Sequence, residues 1–476
     1  MFINRVRELG FLERRYASGQ SELVVLYCRR RVGKTELLRR FCEGKRHFFY
    51  VADLGTEAST LAELARRYGE LFHNDPESTH FAAWDQAFKA LARQAGEERL
   101  IVVLDEFTYL LQTSPTLPSI LQRLWDEQLQ HTHLMLILSG SKGAEVLRSG
   151  GAGEKAFPLP CTSAPPLPCT AEWHLQPLNF TDARLFVPGY SLQDQVRAYA
   201  VLGGVPAYLR QFADRRPLLD NIEGEILSQG AFLYDEPRFL LQMELREPRV
   251  YFAILEAIAT GRVRQEEISQ AVGVKGASLG YYLNTLRDLG LLERAVPVTD
   301  ADPAHSRQGR YQLLDPFFRF WFRFVYRERV HLERGDTATV RQAVNEQMDA
   351  LAVWAFEEIC RARVWDMSAA GHIPFRPQRV GMWWDAQAQI DVAALDEEYI
   401  LLGECRWRSR PLGPDALAEL KRKAERVPGN RHPVLALFSR AGFTEPLQAE
   451  AADQGVLLFG LDDLLVLMQS ASSVSP

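Results

Sequence analysis

One short segment constrains the fold of this chain more than any other. Residues 23–41 read LVVLY-CRRRVGKT-ELLRRF, an apolar run that enters a short basic loop and then a helical pattern beginning at GKT. A loop between a strand and a helix directs successive backbone N–H groups at a phosphate, and the helix dipole adds positive potential. The segment therefore predicts a phosphate-binding loop in an α/β sheet. The alternative, a chance GKT at the start of a helix, does not account for the strand before it.

Each residue type in this loop has an expected task. Lys34 is expected to reach the β- and γ-phosphates of ATP, and the Thr35 hydroxyl is expected to hold Mg²⁺. The pattern GxxxxGK[ST] is complete except at its first position, where Cys28 replaces glycine. The residues of this segment that are predicted to contact the nucleotide are Arg31, Val32, Gly33, Lys34, Thr35 and Glu36.

A second segment supplies the groups that hydrolysis needs. LIVVLDE, residues 100–106, is a buried-strand pattern that ends in Asp105 and Glu106. We expect Asp105 to bind Mg²⁺ through water and Glu106 to polarise the attacking water. Together with Lys34, these two are the predicted catalytic residues.

The order of apolar and helical patterns predicts the N-terminal domain. Helical patterns alternate with apolar runs at 23–27, 48–54, 100–106 and 134–141, which is typical of a parallel sheet covered on both faces. The last run ends in LILSGS, and Ser139 or Ser141 is expected near the γ-phosphate, with a plain core strand as the alternative. Residues 151–173, rich in Pro, Gly and Ser, predict a loop rather than a metal or redox site, although PLPCT occurs twice there.

Composition narrows the class of protein. A chain of 476 residues is too long for one core and indicates about three domains. Its six cysteines form no CxxC pair, which favours a reducing cytoplasm over a disulfide framework. The net charge of -6 argues against a nucleic-acid binder that uses its whole surface, but not against one basic patch. The apolar stretches are too short for a membrane span, and the N-terminus lacks the apolar core of a signal peptide.

A middle segment has the pattern of a helix-turn-helix with a wing. Three helical patterns, at 251–261, 265–274 and 276–294, precede two strands that flank a polar loop. The basic residues expected to contact DNA are Lys275 and Arg287 in the third helix and Arg307 and Arg310 in the wing, with Ser278 and Tyr282 beside the first two. Such domains also dock proteins, so the sequence leaves both DNA and a protein partner open.

The last segment, about residues 340–470, again mixes helices and strands. Residues 381–407 predict paired strands that carry Asp391 at the end of one strand and Glu404 in the next. Two carboxylates on adjacent strands plus a helix glutamate, here Glu358, can hold Mg²⁺ for phosphodiester cleavage. Arg406 stands where a lysine usually completes such a site, and a guanidinium stabilises negative charge but cannot act as a base. A nuclease-like domain without activity is the alternative.

At these residues the chain resembles a family of archaeal-type P-loop ATPases. The segments that carry the resemblance are NRVRELGFLERRY (4–16), CRRRVGKTELL (28–38), VLDEFTYLL (103–111), SGS (139–141), LGGVPAYL (202–209), LLDPFFRFWFRFV (313–325) and GECRW (403–407). The resemblance implies a STAND/AAA-like ATPase module, a winged helix and a restriction-endonuclease-like domain of the PD-(D/E)xK type and of unknown function. It also implies that Asn4 and Arg5 help to cradle the nucleotide base.

The chain departs from the family pattern at three places. Cys28 replaces the first loop glycine, residues 142–173 lack the arginine-bearing tract expected after the serine strand, and Arg406 replaces lysine. The first departure bears on nucleotide affinity, the second on the rate of hydrolysis and the third on cleavage.

The sequence as a whole predicts a multidomain α/β protein. The expected domains are a P-loop NTPase core with a parallel sheet (1–177), a helical lid (178–245), a winged helix (246–330) and a restriction-endonuclease-like α/β domain (340–470). The expected function is a cytoplasmic switch that binds ATP and Mg²⁺, has weak ATPase activity, and carries a DNA- or partner-binding winged helix and a degenerate nuclease-like domain. The alternatives are an ATP-regulated, metal-dependent DNA nuclease and a signalling scaffold whose winged helix binds protein.

Overall fold

The structure is a computed structural model that describes residues 2–96, 98–140, 170–245 and 247–465. The chain divides into two compact units, Met1–Pro177 and Leu178–Pro476. Across these described ranges, no helix combines the length and the apolar character that crossing a membrane requires.

The first unit is built on a parallel sheet. Its strands are β1 (Glu22–Tyr27), β2 (His47–Val51), β3 (Leu100–Asp105), β4 (Leu134–Gly140) and β5 (Thr170–His174), in the spatial order β2-β3-β4-β1-β5. Its helices are α1 (Val6–Ala17), α2 (Lys34–Cys42), α3 (Glu57–His73), α4 (Trp84–Gln94), α5 (Phe107–Thr113) and α6 (Leu117–Glu127). The predicted parallel sheet is therefore confirmed, and its order places β4 between β1 and β3.

The apolar runs form strands because both faces of this sheet are covered. Leu23 and Val25 of β1 enter the core on one face, and Val24 and Leu26 enter the core on the other. Every residue of β3 and β4 is buried for the same reason. The alternation of polar and apolar residues that marks a half-exposed strand is consequently absent from these runs.

The assignment of residues 151–173 to a loop is wrong at its end. Thr170–His174 form β5, which pairs in parallel with β1. Aromatic contacts hold this edge, since the rings of Trp173 and Phe11 have centroids 4.8 Å apart and His174 stacks on Tyr27 at 4.8 Å. A short edge strand whose neighbours are distant in sequence leaves little periodic pattern to detect. The rest of the predicted loop, residues 151–169, lies outside the described residues.

Helices dominate the first part of the second unit. In chain order they are α7 (Phe180–Ala183), α8 (Leu192–Leu202), α9 (Pro206–Leu209), α10 (Leu218–Ile222), α11 (Glu236–Glu244), α12 (Pro248–Ala259), α13 (Gln265–Val272), α14 (Gly276–Asp288), α15 (Pro316–Phe320), α16 (Arg329–Glu333) and α17 (Thr337–Ala369). Turns of π-helix follow α10 at Glu223–Leu227 and α15 at Trp321–Tyr326. Buried side chains of these helices and of the C-terminal sheet form a continuous core that includes Leu178 and Leu464.

A short antiparallel hairpin follows α12, α13 and α14. Its strands are β6 (Leu292–Ala295) and β7 (Arg310–Leu313). The Arg294 side chain closes the loop between them by donating to the carbonyls of Pro303 and Ser306, at 2.7 and 2.6 Å. The helices and the hairpin lie close to where the sequence predicts them, but α14 ends at Asp288 rather than at residue 294, because Gly290 takes a left-handed conformation and β6 begins at Leu292. Their assignment as a winged helix stays a prediction.

The end of the chain forms a mixed sheet. β8 (Arg379–Trp384), β9 (Gln389–Leu395), β10 (Tyr399–Arg406), β11 (His432–Ser439) and β12 (Leu457–Gly460) lie in the order β12-β11-β10-β9-β8. The β8–β9 and β9–β10 pairs are antiparallel, whereas β10–β11 and β11–β12 are parallel. Helix α17 covers one face, and α18 (Pro414–Ala424) and α19 (Glu445–Gln454) cover the other. Asp391 is an interior residue of β9 rather than its end, which corrects the placement made from the sequence.

The loop of the β6–β7 hairpin docks on β8, at the edge of the C-terminal sheet. The backbone N–H of Val298 donates to the carbonyl of Met382 at 2.8 Å, where the β8–β9 register shifts between Gly381 and Trp383. The Val298 side chain is buried in the same core cluster as Trp383. Part of this loop is therefore used for packing inside the second unit.

Candidate functional site

The ends of three strands meet at one edge of the first sheet. Lys34 and Thr35 begin α2 after β1, Asp105 ends β3, and Ser139 lies near the end of β4. Because β4 lies between β1 and β3, the parallel order brings these distant segments together.

Asp105 is fully buried and is held by neutral donors. The Thr35 hydroxyl donates to its Oδ2 at 2.5 Å, and the Ser139 hydroxyl donates to its Oδ1. The backbone N–H of Glu106 also donates to Oδ1, at 3.0 Å. Thr35 and Asp105, the pair that the sequence assigns to Mg²⁺, are thus in direct contact, and Lys34 Nζ lies 3.9 Å from Asp105 Oδ1.

Glu106 lies between two cationic side chains. Lys34 Nζ is 3.3 Å from its Oε1, and Arg30 Nη2 is 4.0 Å from its Oε2. The backbone of Glu106 has φ of 54°, a left-handed conformation that is uncommon for residues other than glycine and that turns the chain from β3 into α5. Such conformations persist where the surroundings fix them and often mark functional turns.

The phosphate-binding loop is shaped by its backbone and by Arg5. Arg31 and Gly33 have φ of 76° and 98°, and turns of this kind direct backbone N–H groups to one side. The buried Arg5 guanidinium donates to the carbonyl of Val32 at 3.0 Å and to the carbonyl of Gln176 at 2.7 Å. Arg5 therefore holds the loop backbone, a role that differs from the base contact implied by the resemblance.

Other predicted contacts are only partly gathered at this site. Glu36 is exposed on the first turn of α2, Asn4 has φ of 55° before α1, and Ser141 lies outside the described residues. The sequence missed Arg30 and Tyr109, whose side chains are joined by a hydrogen bond from the guanidinium to the phenol oxygen. Both belong to segments already singled out, but residue type alone does not show which side chains face each other.

A second polar cluster lies on β9 and β10 of the C-terminal sheet. Glu404 is 1% exposed. Arg406 Nη1 lies 2.5 Å from Glu404 Oε2 and 3.7 Å from Asp391 Oδ2. Lys423, which the sequence did not single out, extends from α18 and places Nζ 2.7 Å from Glu404 Oε1. Two cations therefore close on one buried carboxylate.

Glu357, the residue before the predicted Glu358, has a pKa that this cluster helps to raise. Burial, reinforced by the negative charge of Asp391, raises the pKa of Glu357 to about 8. Burial also raises the pKa of Glu404. Glu358 instead accepts from Arg361 at 3.1 Å. Successive helix residues point roughly 100° apart, so an error of one residue selects a different face.

Metal binding at this second cluster stays a prediction. In the described part of the chain, no group of three or more His, Cys, Asp or Glu side chains is arranged to hold a metal ion. The predicted pair, Asp391 and Glu404, is occupied by Arg406 and Lys423 in the arrangement observed.

The four basic residues predicted to contact DNA differ in their surroundings. Lys275 and Arg287, at the start and end of α14, are exposed, and Arg307 is exposed in the hairpin loop. The Arg310 guanidinium lies 4.7 Å from the centroid of the Trp384 ring on β8, and burial lowers its pKa. Arg310 is therefore engaged within the second unit.

The sheet order, the loop between β1 and α2, and the acidic end of β3 define a P-loop nucleoside-triphosphatase fold. Residues 2–212 match the family described as an ATPase domain predominantly from Archaea, and residues 321–425 match a family described as archaeal and bacterial proteins of unknown function. The chain therefore contains an archaeal-type ATPase domain and a C-terminal domain of unknown function, and this part of the resemblance found in the sequence is confirmed.

Proteins with sequence similarity to this chain occur in Methanocaldococcus jannaschii. An uncharacterised protein of Methanocaldococcus jannaschii is 29% identical over 418 residues, which cover 86% of this chain and 88% of that protein. An uncharacterised ATP-binding protein of the same organism is 52% identical over 46 residues, 10% of this chain and 78% of that protein. Among solved structures, a Walker-type ATPase of Pyrococcus abyssi has a TM-score of 0.46 and 20% identity, covering 68% of this chain and 96% of that one.

Proposed function

We propose that this chain binds ATP with Mg²⁺ and hydrolyses it slowly, as a nucleotide-controlled switch. The observation that carries the proposal is the contact of Thr35 with Asp105 beside Lys34 and Glu106. These groups are a hydroxyl and a carboxylate for a hard cation, an ammonium for phosphates, and a second carboxylate for water. The ATPase family of the first domain supports the same function.

The residues present fit a magnesium ion. Thr35 and Asp105 offer the oxygen ligands that Mg²⁺ prefers, and Asp105 would bind it through water. Glu106 Oε2 is buried, and it has no hydrogen-bond partner among the described residues, so it is an acceptor that these residues do not satisfy. When bound, the ion would neutralise charge on the β- and γ-phosphate oxygens.

The side chains have separate tasks in the proposed reaction. Lys34 leaves its ion pairs with Asp105 and Glu106 and places its ammonium on the β- and γ-phosphates. Backbone N–H groups of the loop bind the same phosphates. Glu106, no longer paired with Lys34, orients the attacking water and accepts its proton. Arrival of the phosphates and release of the water-orienting carboxylate are therefore linked.

Replacement of Lys34 tests this function most directly. Lys34→Ala is expected to weaken ATP binding by about a hundredfold, because charge-assisted phosphate contacts are among the stronger polar interactions. Lys89→Ala is the matched control, since Lys89 lies on α4 with its side chain 40% exposed and pairs with Asp85. Equilibrium binding of a fluorescent ATP analogue measures the effect, and circular dichroism checks the fold. Parental affinity in a folded Lys34→Ala protein contradicts the proposal.

One observation supports a second candidate function, metal-dependent phosphodiester cleavage in the second unit. The usual lysine of β10 is replaced by Arg406, but Lys423 brings an amine to the same carboxylate from α18. A lysine can lose its proton in a buried site, whereas a guanidinium cannot. Lys423 of α18 therefore supplies the amine that a nuclease site of this type usually has on the strand.

Nicking of supercoiled plasmid, with Mg²⁺ or Mn²⁺ and with or without ATP, separates this candidate from a degenerate domain. Cleavage that is lost in Asp391→Ala and kept in Lys421→Ala supports the candidate. Lys421 is the matched control because it lies on the same helix and pairs instead with Glu450, at 3.3 Å. Absence of cleavage under every condition supports the degenerate domain.

The three helices and the hairpin support a winged helix that contacts DNA or a protein partner. Three of the predicted DNA contacts, Lys275, Arg287 and Arg307, are exposed cations. If the partner is DNA, retention falls steeply with salt, because each phosphate contact releases counterions. Retention of no DNA at low salt would instead favour the scaffold that binds protein.

A further inference from the structure

Arg30 extends from the middle of the phosphate-binding loop toward the turn that follows β3. Its guanidinium donates a hydrogen bond to the hydroxyl of Tyr109 and lies 5.6 Å from the centroid of that ring. Its Nη2 is 4.0 Å from Glu106 Oε2, and its side chain is 21% exposed. Arg30 is thus a partly buried cation beside the carboxylate that is proposed to orient water.

The same short turn carries both the carboxylate and the anchor of Arg30. Glu106 is the residue before α5, and Tyr109 lies in the first turn of that helix. The backbone N–H of Tyr109 donates to the carbonyl of Glu106 at 2.9 Å, which fixes their spacing. A cation held in this way keeps its place relative to Glu106.

Glu106 therefore has a different cation at each carboxylate oxygen. Lys34 lies at Oε1 and Arg30 lies at Oε2, the oxygen that has no hydrogen-bond partner among the described residues. In the proposed reaction Lys34 moves to the phosphates, while the bond to Tyr109 keeps Arg30 at the water-orienting carboxylate. The cation that stays is therefore the one beside the carboxylate that is proposed to orient water.

We propose that Arg30 is a catalytic residue of ATP hydrolysis. Its guanidinium contacts the γ-phosphoryl group as that group passes to water. This proposal rests on the ATPase function proposed above. The water oxygen bonds to the γ-phosphorus, and the bond from that phosphorus to the bridging oxygen breaks. ADP leaves with the electron pair, and the water proton passes to Glu106. Arg30 takes no proton, and it stabilises charge on the equatorial oxygens, as arginines do in other phosphoryl transfers.

The variants Arg30→Ala, Arg30→Lys and Tyr109→Phe test the assignment, with Arg123→Ala as the control. Arg123 is an arginine of α6 whose side chain is 50% exposed and pairs with Glu127. We expect Arg30→Ala to bind ATP within about threefold of the parent and to hydrolyse it at least about a hundredfold more slowly in single turnover. We expect Arg30→Lys to keep part of the rate, and Tyr109→Phe to lose a smaller part because it loses only the anchor.

A second readout separates transition-state charge from structure. Affinity for ADP with aluminium fluoride and Mg²⁺, a mimic of the transferring phosphoryl group, should fall in Arg30→Ala, while affinity for ADP alone should not. A parental rate in Arg30→Ala, a faster rate, or equal losses in ATP affinity and hydrolysis would each overturn the proposal. If the parent binds ATP but hydrolyses none, the proposed ATPase function fails, and the aluminium fluoride comparison still decides the role of Arg30.

Discussion

Each of the two units has one polar site, and the two sites differ in how closely cations approach the central carboxylate. In the first unit, Lys34 and Arg30 stand 3.3 and 4.0 Å from the oxygens of Glu106. In the second unit, two cations contact the oxygens of the buried Glu404 at 2.5 and 2.7 Å. The first carboxylate is loosely paired and the second is tightly paired.

The difference indicates what each site needs before it can bind a charged ligand. The longer ion pairs of Glu106 are weaker, so a nucleotide and a metal ion, which bring charges of their own, can replace them at lower cost. Short buried pairs balance their charge within the fold, and removing one partner is costly because the other stays buried and unpaired. The second site must therefore release Arg406 or Lys423 before a cation can reach Glu404.

The strongest test of this comparison is the stability of Glu404→Gln. We expect it to lower the free energy of unfolding by about 3 kcal/mol, because the two cations lose their buried partner. Glu419→Gln is the matched control, since Glu419 contacts the same two cations at 3.2 and 3.4 Å but is 42% exposed, and its loss should cost less than about 1 kcal/mol. Urea unfolding measures both. Equal losses in the two variants would mean that the tight pairing at Glu404 does not stabilise the fold.

The second test concerns the loosely paired carboxylate of the first unit. Glu106→Gln is expected to slow ATP hydrolysis by about a hundredfold, because a neutral amide no longer accepts the water proton. ATP affinity and stability should stay near the parental values, since the ion pairs removed are long. Single-turnover hydrolysis and equilibrium binding decide the matter. A Glu106→Gln protein that turns over ATP at the parental rate assigns Glu106 a structural role.

The third test asks whether the second site can be made to work. Arg406→Lys should raise metal-dependent plasmid nicking by about tenfold if the site is otherwise intact, because lysine can give up a proton and guanidinium cannot. Asp391→Ala in the same background should abolish the gain. Robust nicking by the parent, lost in Asp391→Ala, would show that Lys423 already completes the site and would make the nuclease function the leading one.

The sequence predicts the first unit better than the second because its signals are local. The strands of the parallel sheet are continuous apolar runs, and Lys34 and Thr35 lie in one uninterrupted motif. A local pattern of this kind can be recognised without knowing which elements pack against it. β5, a short strand at the edge of the sheet, has no such pattern, and its sequence favours a loop over most of its length.

The candidate sites show where local reasoning ends. The sequence favours Glu358, but Asp391 helps to raise the pKa of the neighbouring Glu357. The two glutamates are adjacent on the helix and therefore point in directions about 100° apart. The same one-residue difference occurs on α14. The sequence places Tyr282 on the exposed face, but Tyr282 packs against the ring of Tyr251, and Tyr281 is the residue that is 63% exposed. Lys423 could not be selected at all, because only the packing of α18 on the sheet brings it to Glu404.

The smallest expected effect concerns Arg310, a cation of the second unit that is again used internally. Its guanidinium lies over the Trp384 ring, so Arg310→Ala should lower stability by about 1 kcal/mol, the usual size of a cation–π contact of intermediate exposure. DNA retention, if present, should scarcely change. Lys275→Ala and Arg287→Ala should weaken DNA retention and leave stability nearly unchanged, because both side chains are exposed on α14. Removing a cation that binds a phosphate lowers the slope of log affinity against log salt concentration by about one.

Chemical unfolding and DNA retention at several salt concentrations measure the two effects on the same variants. The contrary outcome is that Arg310→Ala weakens DNA retention as much as Lys275→Ala and leaves stability unchanged. That result would mean that Arg310 contacts DNA and does not stabilise the second unit as Arg406 and Lys423 do at Glu404.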